Sequence, residues 1–126
     1  MIMDKPIIEI EFNPKFNLDF AKNCSEFLDI IKKKADRQNI DEICIVYFHT
    51  GKNIDYLTSY QYVKYVEDHF KININFIDIS DFYQCFQKVN QSNQFIKFKE
   101  DDIDKMIKKI KEMYIFSINN YLNKGK

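Results

Sequence analysis

Glycine and proline are scarce in this sequence, which holds two of each in 126 residues. Loops that cradle phosphate groups need several glycines, because the backbone must come close to the ligand. None of the motifs GxxxxGK(S/T), GxGxxG, GxSxG, HExxH or CxxC is present. We therefore expect no nucleotide hydrolysis, no catalytic machinery and no cofactor.

An excess of charge is also missing, since 19 basic side chains balance 19 acidic ones. Binding to nucleic acid needs a basic face that neutralises phosphates, so a nucleic-acid partner is not expected. No apolar run approaches the roughly 20 residues of a membrane-spanning helix. Residues 1–6 lack the layout of a signal peptide. These absences predict a cytoplasmic protein without membrane insertion.

The cysteines are few and odd in number: Cys24, Cys44 and Cys85. They lack the spacing of a metal site, and each stands among apolar residues. We expect three buried, reduced thiols and neither a disulfide nor a bound metal.

Apolar and aromatic residues are plentiful. The chain is 45% hydrophobic and contains eight tyrosines and twelve phenylalanines, a composition that argues against disorder. A chain of this size buries roughly two-thirds of its unfolded surface. We therefore expect a single domain over residues 1–126.

Strand and helix patterns alternate along the chain. Period-two or continuous apolar runs predict strands at residues 7–12, 43–48, 72–79 and 95–98. Apolar residues at helical spacing predict helices at about 19–36 and 57–70, a short helix capped by Ser80 or Asp81, and a long last helix from Glu100. This order indicates an α/β layer fold with a mostly parallel or mixed four-stranded sheet.

The run at residues 43–48 is apolar throughout, as in a strand covered on both faces, so we expect it to be central. The predicted core consists of Phe27, Ile31, Ile45, Val46, Val66, Ile77 and Phe86.

His49 follows the central strand, at the sheet edge where α/β folds place ligand sites. With Asp55 or Asp78 it would form an acid-base pair. A histidine in a strand-to-loop turn is more often exposed to solvent, and the sequence favours that interpretation.

Four tyrosines crowd the second helix: Tyr56, Tyr60, Tyr62 and Tyr65. Their spacing prevents all of them from facing one core. The exposed ones either form a protein-binding surface, in which tyrosine is enriched, or lie over neighbouring helices.

Four segments in this order resemble the STAS domain, the family of sulfate transporters and anti-sigma factor antagonists. They are Asn17-Leu18-Asp19-Phe20-Ala21-Lys22-Asn23; residues 43–48 with Asn53-Ile54-Asp55; residues 74–79 with Ser80-Asp81-Phe82-Tyr83-Gln84-Cys85-Phe86; and Phe95-Ile96-Lys97-Phe98 before an acidic helix start. The resemblance covers about residues 7–110 and implies a STAS-like fold.

The chain departs from the family where the family commonly reads Asp-Ser-Ser-Gly, with a serine as phosphoacceptor. Here the run is Asp55-Tyr56-Leu57-Thr58-Ser59-Tyr60, and the family's first strand is missing. A surviving phosphoacceptor would have to be Thr58 or Ser59, where the N-terminus of the helix favours negative charge.

The resemblance implies a non-enzymatic regulatory module that binds an anti-sigma kinase or a transporter subunit. We expect the binding surface at Gly51, Lys52, Asp55, Tyr56, Leu57, Thr58, Ser59 and Tyr60. The alternative is an inhibitor or immunity protein that binds a toxin or enzyme, although the balanced charge offers no one-signed face for such a partner.

The last helix keeps an apolar stripe through Tyr114, Ile118 and Tyr121. An exposed stripe of this length is unusual on a monomer, so the helix either packs on the domain or joins two copies in a homodimer.

Overall fold

The computed structural model describes residues 6–12, 20–35, 40–52, 54–92 and 97–122. Within them the strands are β1 (Ile7–Ile10), β2 (Cys44–His49) and β3 (Ile74–Asp78), and the helices are α1 (Phe20–Ala35), α2 (Tyr56–Phe70), α3 (Ser80–Gln91) and α4 (Glu100–Leu122), with a 3-10 turn at Ile40–Glu42. No helix in these ranges has the length and apolar character needed to cross a membrane. The α/β alternation predicted from the sequence is confirmed.

The sheet has the order β1-β2-β3 in the described residues, and both strand pairs are parallel. Ile7 lies opposite Cys44, and His49 lies opposite Asp78. The central position of β2 is confirmed. Of the predicted fourth strand, residues 95 and 96 lie outside the described residues, and Lys97 and Phe98 are not in a strand. The described sheet therefore has three strands, not four.

Both faces of the sheet are covered, because side chains of β2 alternate between two apolar clusters. Ile45 and Tyr47 point toward α1 and α2, where the larger cluster contains Phe27, Ile31, Val63 and Val66. Cys44, Val46 and Phe48 point toward α4, in a cluster with Ile79, Ile103 and Ile107. The continuous apolar run of β2 is explained by this double coverage.

Two carboxylates accept hydrogen bonds from residues at the starts of helices. Asp55 precedes α2 and accepts a hydrogen bond from the Thr58 N–H at 2.8 Å. The expected caps of α3, Ser80 or Asp81, are wrong, since Ile79 occupies the capping position and makes no side-chain bond there. Asp78 instead accepts from the Ser80 N–H at 2.9 Å and from its hydroxyl at 2.6 Å.

Most of the predicted core is buried, with three corrections near α3. Ile77 and Phe86 are half-buried at the border of the α4-side cluster. Cys85 is exposed, because Tyr83 and Phe86 form the inner side of that helix. Cys24 and Cys44 are buried as expected, and burial raises the pKa of the Cys24 thiol to about 11.

Helix α4 packs on the domain with only part of the predicted stripe. Ile103, Ile107, Ile110, Ile118 and Leu122 face the sheet. Tyr114 and Tyr121, which the sequence placed on that stripe, are exposed, although the Tyr114 ring still meets Phe48 edge-on.

We expect Ile45→Ala to lower the free energy of unfolding by about 2–5 kcal/mol, because Ile45 is fully buried in the central strand. Urea denaturation measures this change. Leu57→Ala, at an exposed position, is the control and should cost less than about 0.5 kcal/mol. Equal losses in the two variants would mean that β2 is not the centre of the core.

Candidate functional site

An aromatic cluster lies at the carboxyl end of the sheet, where β2 and β3 meet the start of α2. It consists of His49, Tyr56, Tyr60 and Phe76. The Phe76 ring is its centre: His49 stacks on it at 5.8 Å between ring centroids, and Tyr56 and Tyr60 meet it edge-on at 5.3 and 5.7 Å. Tilted and edge-on contacts of this kind add to the stabilisation from burial.

Part of this cluster is open to solvent. The exposed fractions are 47% for Tyr56, 63% for Leu57 and 37% for Tyr60. We call these three residues the α2 patch. The two tyrosine rings stack on each other at 5.9 Å, one helical turn apart, and the Lys64 ammonium lies 5.8 Å from the Tyr60 ring centroid. The patch is thus an apolar centre with a polar rim, and its ring contacts hold it in place.

His49 is inside the molecule, and its predicted exposure to solvent is wrong. It is the last residue of β2, with 2% of its surface exposed, because Phe76 and Tyr56 cover the ring. Burial lowers the pKa of His49, and the negative charges of Asp78 and Asp55 oppose this only in part. A neutral imidazole is therefore the favoured form in the folded protein.

The two candidate phosphoacceptors differ in access. Ser59 is buried, with 2% exposed, and accepts a long hydrogen bond of 3.4 Å from the Tyr47 hydroxyl. Thr58 is half-buried and donates its hydroxyl to the second carboxylate oxygen of Asp55 at 2.9 Å. Asp55 already supplies the negative charge at this helix end, and its hydrogen bonds from the Thr58 N–H and hydroxyl lower its pKa. A phosphate on Thr58 would stand beside this carboxylate.

Gly51 and Lys52 line a different part of the surface, a cleft of about 440 Å³ between the sheet edge and α4. Gly51 has φ +75°, and a Cβ there would come within 3.1 Å of the Ser80 Cβ. Lys52 forms ion pairs with Asp104 at 3.2 Å and Glu100 at 3.6 Å. The hydrogen bond to Asp104 is the main reason that the pKa of Lys52 is raised.

A third ion pair lies along the same cleft. Lys111 lies 3.5 Å from Glu9 and 6.0 Å from the centre of the Phe48 ring. The three pairs connect the sheet edge to α4, so the cations of Lys52 and Lys111 are already matched by carboxylates. The cleft presents both signs of charge, and among the described residues no group of three or more His, Cys, Asp or Glu could hold a metal ion.

The predicted binding residues thus divide into four groups. Tyr56, Leu57 and Tyr60 form one exposed patch, Gly51 and Lys52 face the cleft, and Ser59 points into the core, with Asp55 and Thr58 at the helix start between them.

The sequence reasoning missed Phe76 and Lys64 as parts of this site. Phe76 follows Ile74 at period two, which places both on the α2 side of β3. Lys64 follows Tyr60 by four residues on one helix face. These spacings could have identified both.

We expect acid to destabilise the wild-type protein more than the variant His49→Gln. Since the pKa of His49 is lower in the folded chain than its ordinary value of 6.5, the unfolded chain takes up the proton first as the pH falls. The stability associated with neutral His49 is complete above about pH 6.5 and declines as the pH falls toward the folded-state pKa.

Urea denaturation from about pH 8 to pH 5 measures this difference. His49→Gln removes the titrating group, so its stability should vary less over that range. The same pH dependence in both proteins would contradict the burial of a neutral imidazole.

We expect Ser59→Asp to destabilise the protein by roughly 3 kcal/mol more than Ser59→Ala, because it places a carboxylate in the core beside Tyr47. Thermal and urea unfolding measure the difference. Thr58→Asp, at the half-buried neighbour, serves as the comparison and should cost less. Equal tolerance of Asp at both positions would show that Ser59 is accessible.

The whole chain matches no protein-family model, no curated protein and no solved structure. The function of this site is therefore argued from its geometry and chemistry.

Proposed function

We propose that this chain is a non-enzymatic interaction module that binds a protein partner through the α2 patch. The observation that carries the proposal is the exposure of Tyr56, Leu57 and Tyr60 side by side at the start of one helix. A partner that covers these side chains would remove their apolar surface from water, which favours association. Tyrosines bring large contact area at low entropic cost, as binding sites require.

Rigidity of the patch supports the same conclusion. The Tyr56 and Tyr60 rings rest on Phe76, and Asp55 fixes the first turn of α2 through two hydrogen bonds to Thr58. A surface ordered before binding loses little conformational entropy on association. The patch is therefore suited to bind a partner without rearrangement.

The resemblance to STAS domains suggests the class of partner. The resemblance rests on four sequence segments and their order, and the elements β1-α1-β2-α2-β3-α3 follow the part of that order that precedes the fourth segment. In a STAS-like domain the α2 patch would follow the signature loop and would bind an anti-sigma kinase or a transporter subunit. Regulation would then act through binding and not through phosphorylation, because Ser59 is buried and the Thr58 hydroxyl is hydrogen-bonded to Asp55.

The test is affinity capture from the source organism with tagged protein and quantitative mass spectrometry. Tyr56→Ser and Leu57→Ser should lose the partner that the wild type captures. Tyr121→Ser is the matched control, since it removes an exposed tyrosine from α4, away from the α2 patch. With the purified partner, each patch variant should raise the Kd at least about tenfold.

Two results would count against the proposal. One is equal capture by the wild type and both patch variants, and the other is loss of the partner with Tyr121→Ser alone. The partner's identity separates the two classes: a kinase or transporter subunit supports a regulatory module, and a toxin supports an inhibitor or immunity protein.

A further inference from the structure

The cleft between the sheet edge and α4 opens where β1 ends before β2 does. Ile10 is the last residue of β1 and is paired with Tyr47, whereas Phe48 and His49 continue β2 beside β3. This step lies at the carboxyl end of the sheet, the edge where parallel α/β folds bind their ligands. The volume of the cleft, about 440 Å³, is in the range of small-molecule sites.

His49 brings a polar group without a partner to this cleft. Only 2% of the residue is exposed, yet it is one of the residues that line the cleft. Neither nitrogen of its ring has a hydrogen-bond partner among the residues that the structure describes. A buried polar group without a hydrogen bond is costly, and native proteins contain few of them. A ligand in the cleft would supply the partner that the described chain does not.

Gly51 leaves one edge of the imidazole accessible. It lines the same cleft, and a Cβ at this position would lie 3.9 Å from Nε2 of His49. The φ of +75° at Gly51 is a conformation that favours glycine over other residues. The turn that requires glycine therefore also keeps a side chain away from Nε2.

Charges of both signs remain available in the cleft after the ion pairs of Lys52 and Lys111 are formed. Lys108, Glu11 and Glu112 also line it, and none of the three forms an ion pair within the described residues. A molecule with one carboxylate and one ammonium would match both signs. A simple anion or a simple cation would leave one sign without a partner.

We propose that the cleft binds a small zwitterion, a free amino acid or a short peptide, with the His49 imidazole as its buried hydrogen-bonding group. Lys108 binds the carboxylate of the ligand, and Glu11 or Glu112 binds the ammonium. Nε2 of His49 forms a hydrogen bond with a further polar atom of the ligand. A neutral imidazole can either donate or accept this bond, and burial favours the neutral form.

NMR titration of isotope-labelled protein tests the proposal. The probes are the common amino acids, one at a time, and the dipeptide alanylalanine, each up to about 10 mM, which reveals even a Kd of about 1 mM. At least one probe should bind saturably and shift the ring-nitrogen resonances of His49 and the amides of Thr50 and Gly51. The ring of His69, the other histidine of the chain, is exposed on α2 and should not respond.

The chemistry of the ligand is tested with two modified forms of the probe that binds. The N-acetylated form lacks the ammonium and the amide form lacks the carboxylate, so each should bind more weakly than the zwitterion. A comparison of the free amino acids with the dipeptide distinguishes the two sources of the zwitterion.

A histidine substitution tests the role of the imidazole. His49→Phe keeps an aromatic ring beside Phe76 and Tyr56 but removes both nitrogens, and it should raise the Kd of the bound probe at least about fivefold. His69→Phe is the matched control and should bind like the wild type. Circular dichroism verifies that each variant is folded.

A lysine substitution tests the carboxylate contact independently of His49. Lys108→Gln should raise the Kd by about 2- to 5-fold, the effect of losing an exposed ion pair. Lys109→Gln, at a neighbour that does not line the cleft, is the matched control and should leave the Kd unchanged. Leu57→Ser, on the α2 patch, should also bind the probe like the wild type. Loss of the small ligand and loss of the protein partner are therefore separate results.

Three outcomes would overturn the proposal. The first is that no probe binds saturably. The second is that His49→Phe and Lys108→Gln, both folded, bind the probe as tightly as the wild type. The third is that the N-acetylated and amide forms bind as tightly as the zwitterion.

Discussion

The structure depends on the burial of β2, a strand that is paired along both edges and covered on both faces. Its six residues are all buried. The backbone of a central strand is satisfied by its neighbours, so its side chains are free to be apolar on both sides. Ile45 and Tyr47 anchor α1 and α2, while Val46 and Phe48 anchor α4. One short strand thereby holds the two layers of helices together.

The same strand builds the candidate site at its carboxyl end. His49 continues the alternation of β2 and enters the α2 side, where Phe76 and Tyr56 cover it. This burial favours the neutral imidazole, whose ring packs against its aromatic neighbours. Phe76 packs against the exposed rings of Tyr56 and Tyr60, and His49 packs against Tyr56. His49, a polar residue at the end of a strand, thus packs beneath an exposed apolar surface.

The sequence was informative wherever a period repeated over several residues. It predicted the helices, the first three strands and the central position of β2, because each carries a regular spacing of apolar residues. The exposure of side chains at the ends of strands and helices was harder to predict, since it depends on neighbours that are distant in the chain. The sequence predicted His49 to be exposed because Phe76, which covers it, lies 27 residues later and leaves no sign in the residues next to His49. The burial of Ser59 follows from helical spacing, which places it on the side of α2 that carries Tyr62, Val63 and Val66, whereas its hydrogen-bond partner Tyr47 lies beyond any local pattern.

The two exposed surfaces have different origins in the fold. The α2 patch packs on Phe76 at the sheet edge, whereas the large exposed side chains of α4 lie on the solvent side of a helix whose other side packs on the cluster of Ile103 and Ile107. A substitution in either surface leaves the buried strand intact. Substitutions on the two surfaces can therefore be tested separately.

The most direct test of the central claim is a titration of isotope-labelled protein with its captured partner, followed by backbone amide chemical shifts. The account predicts that the largest changes occur at Tyr56, Leu57 and Tyr60 and their neighbours in the first turns of α2. Changes confined to the far end of α4, with the amides of α2 unaffected, would contradict it.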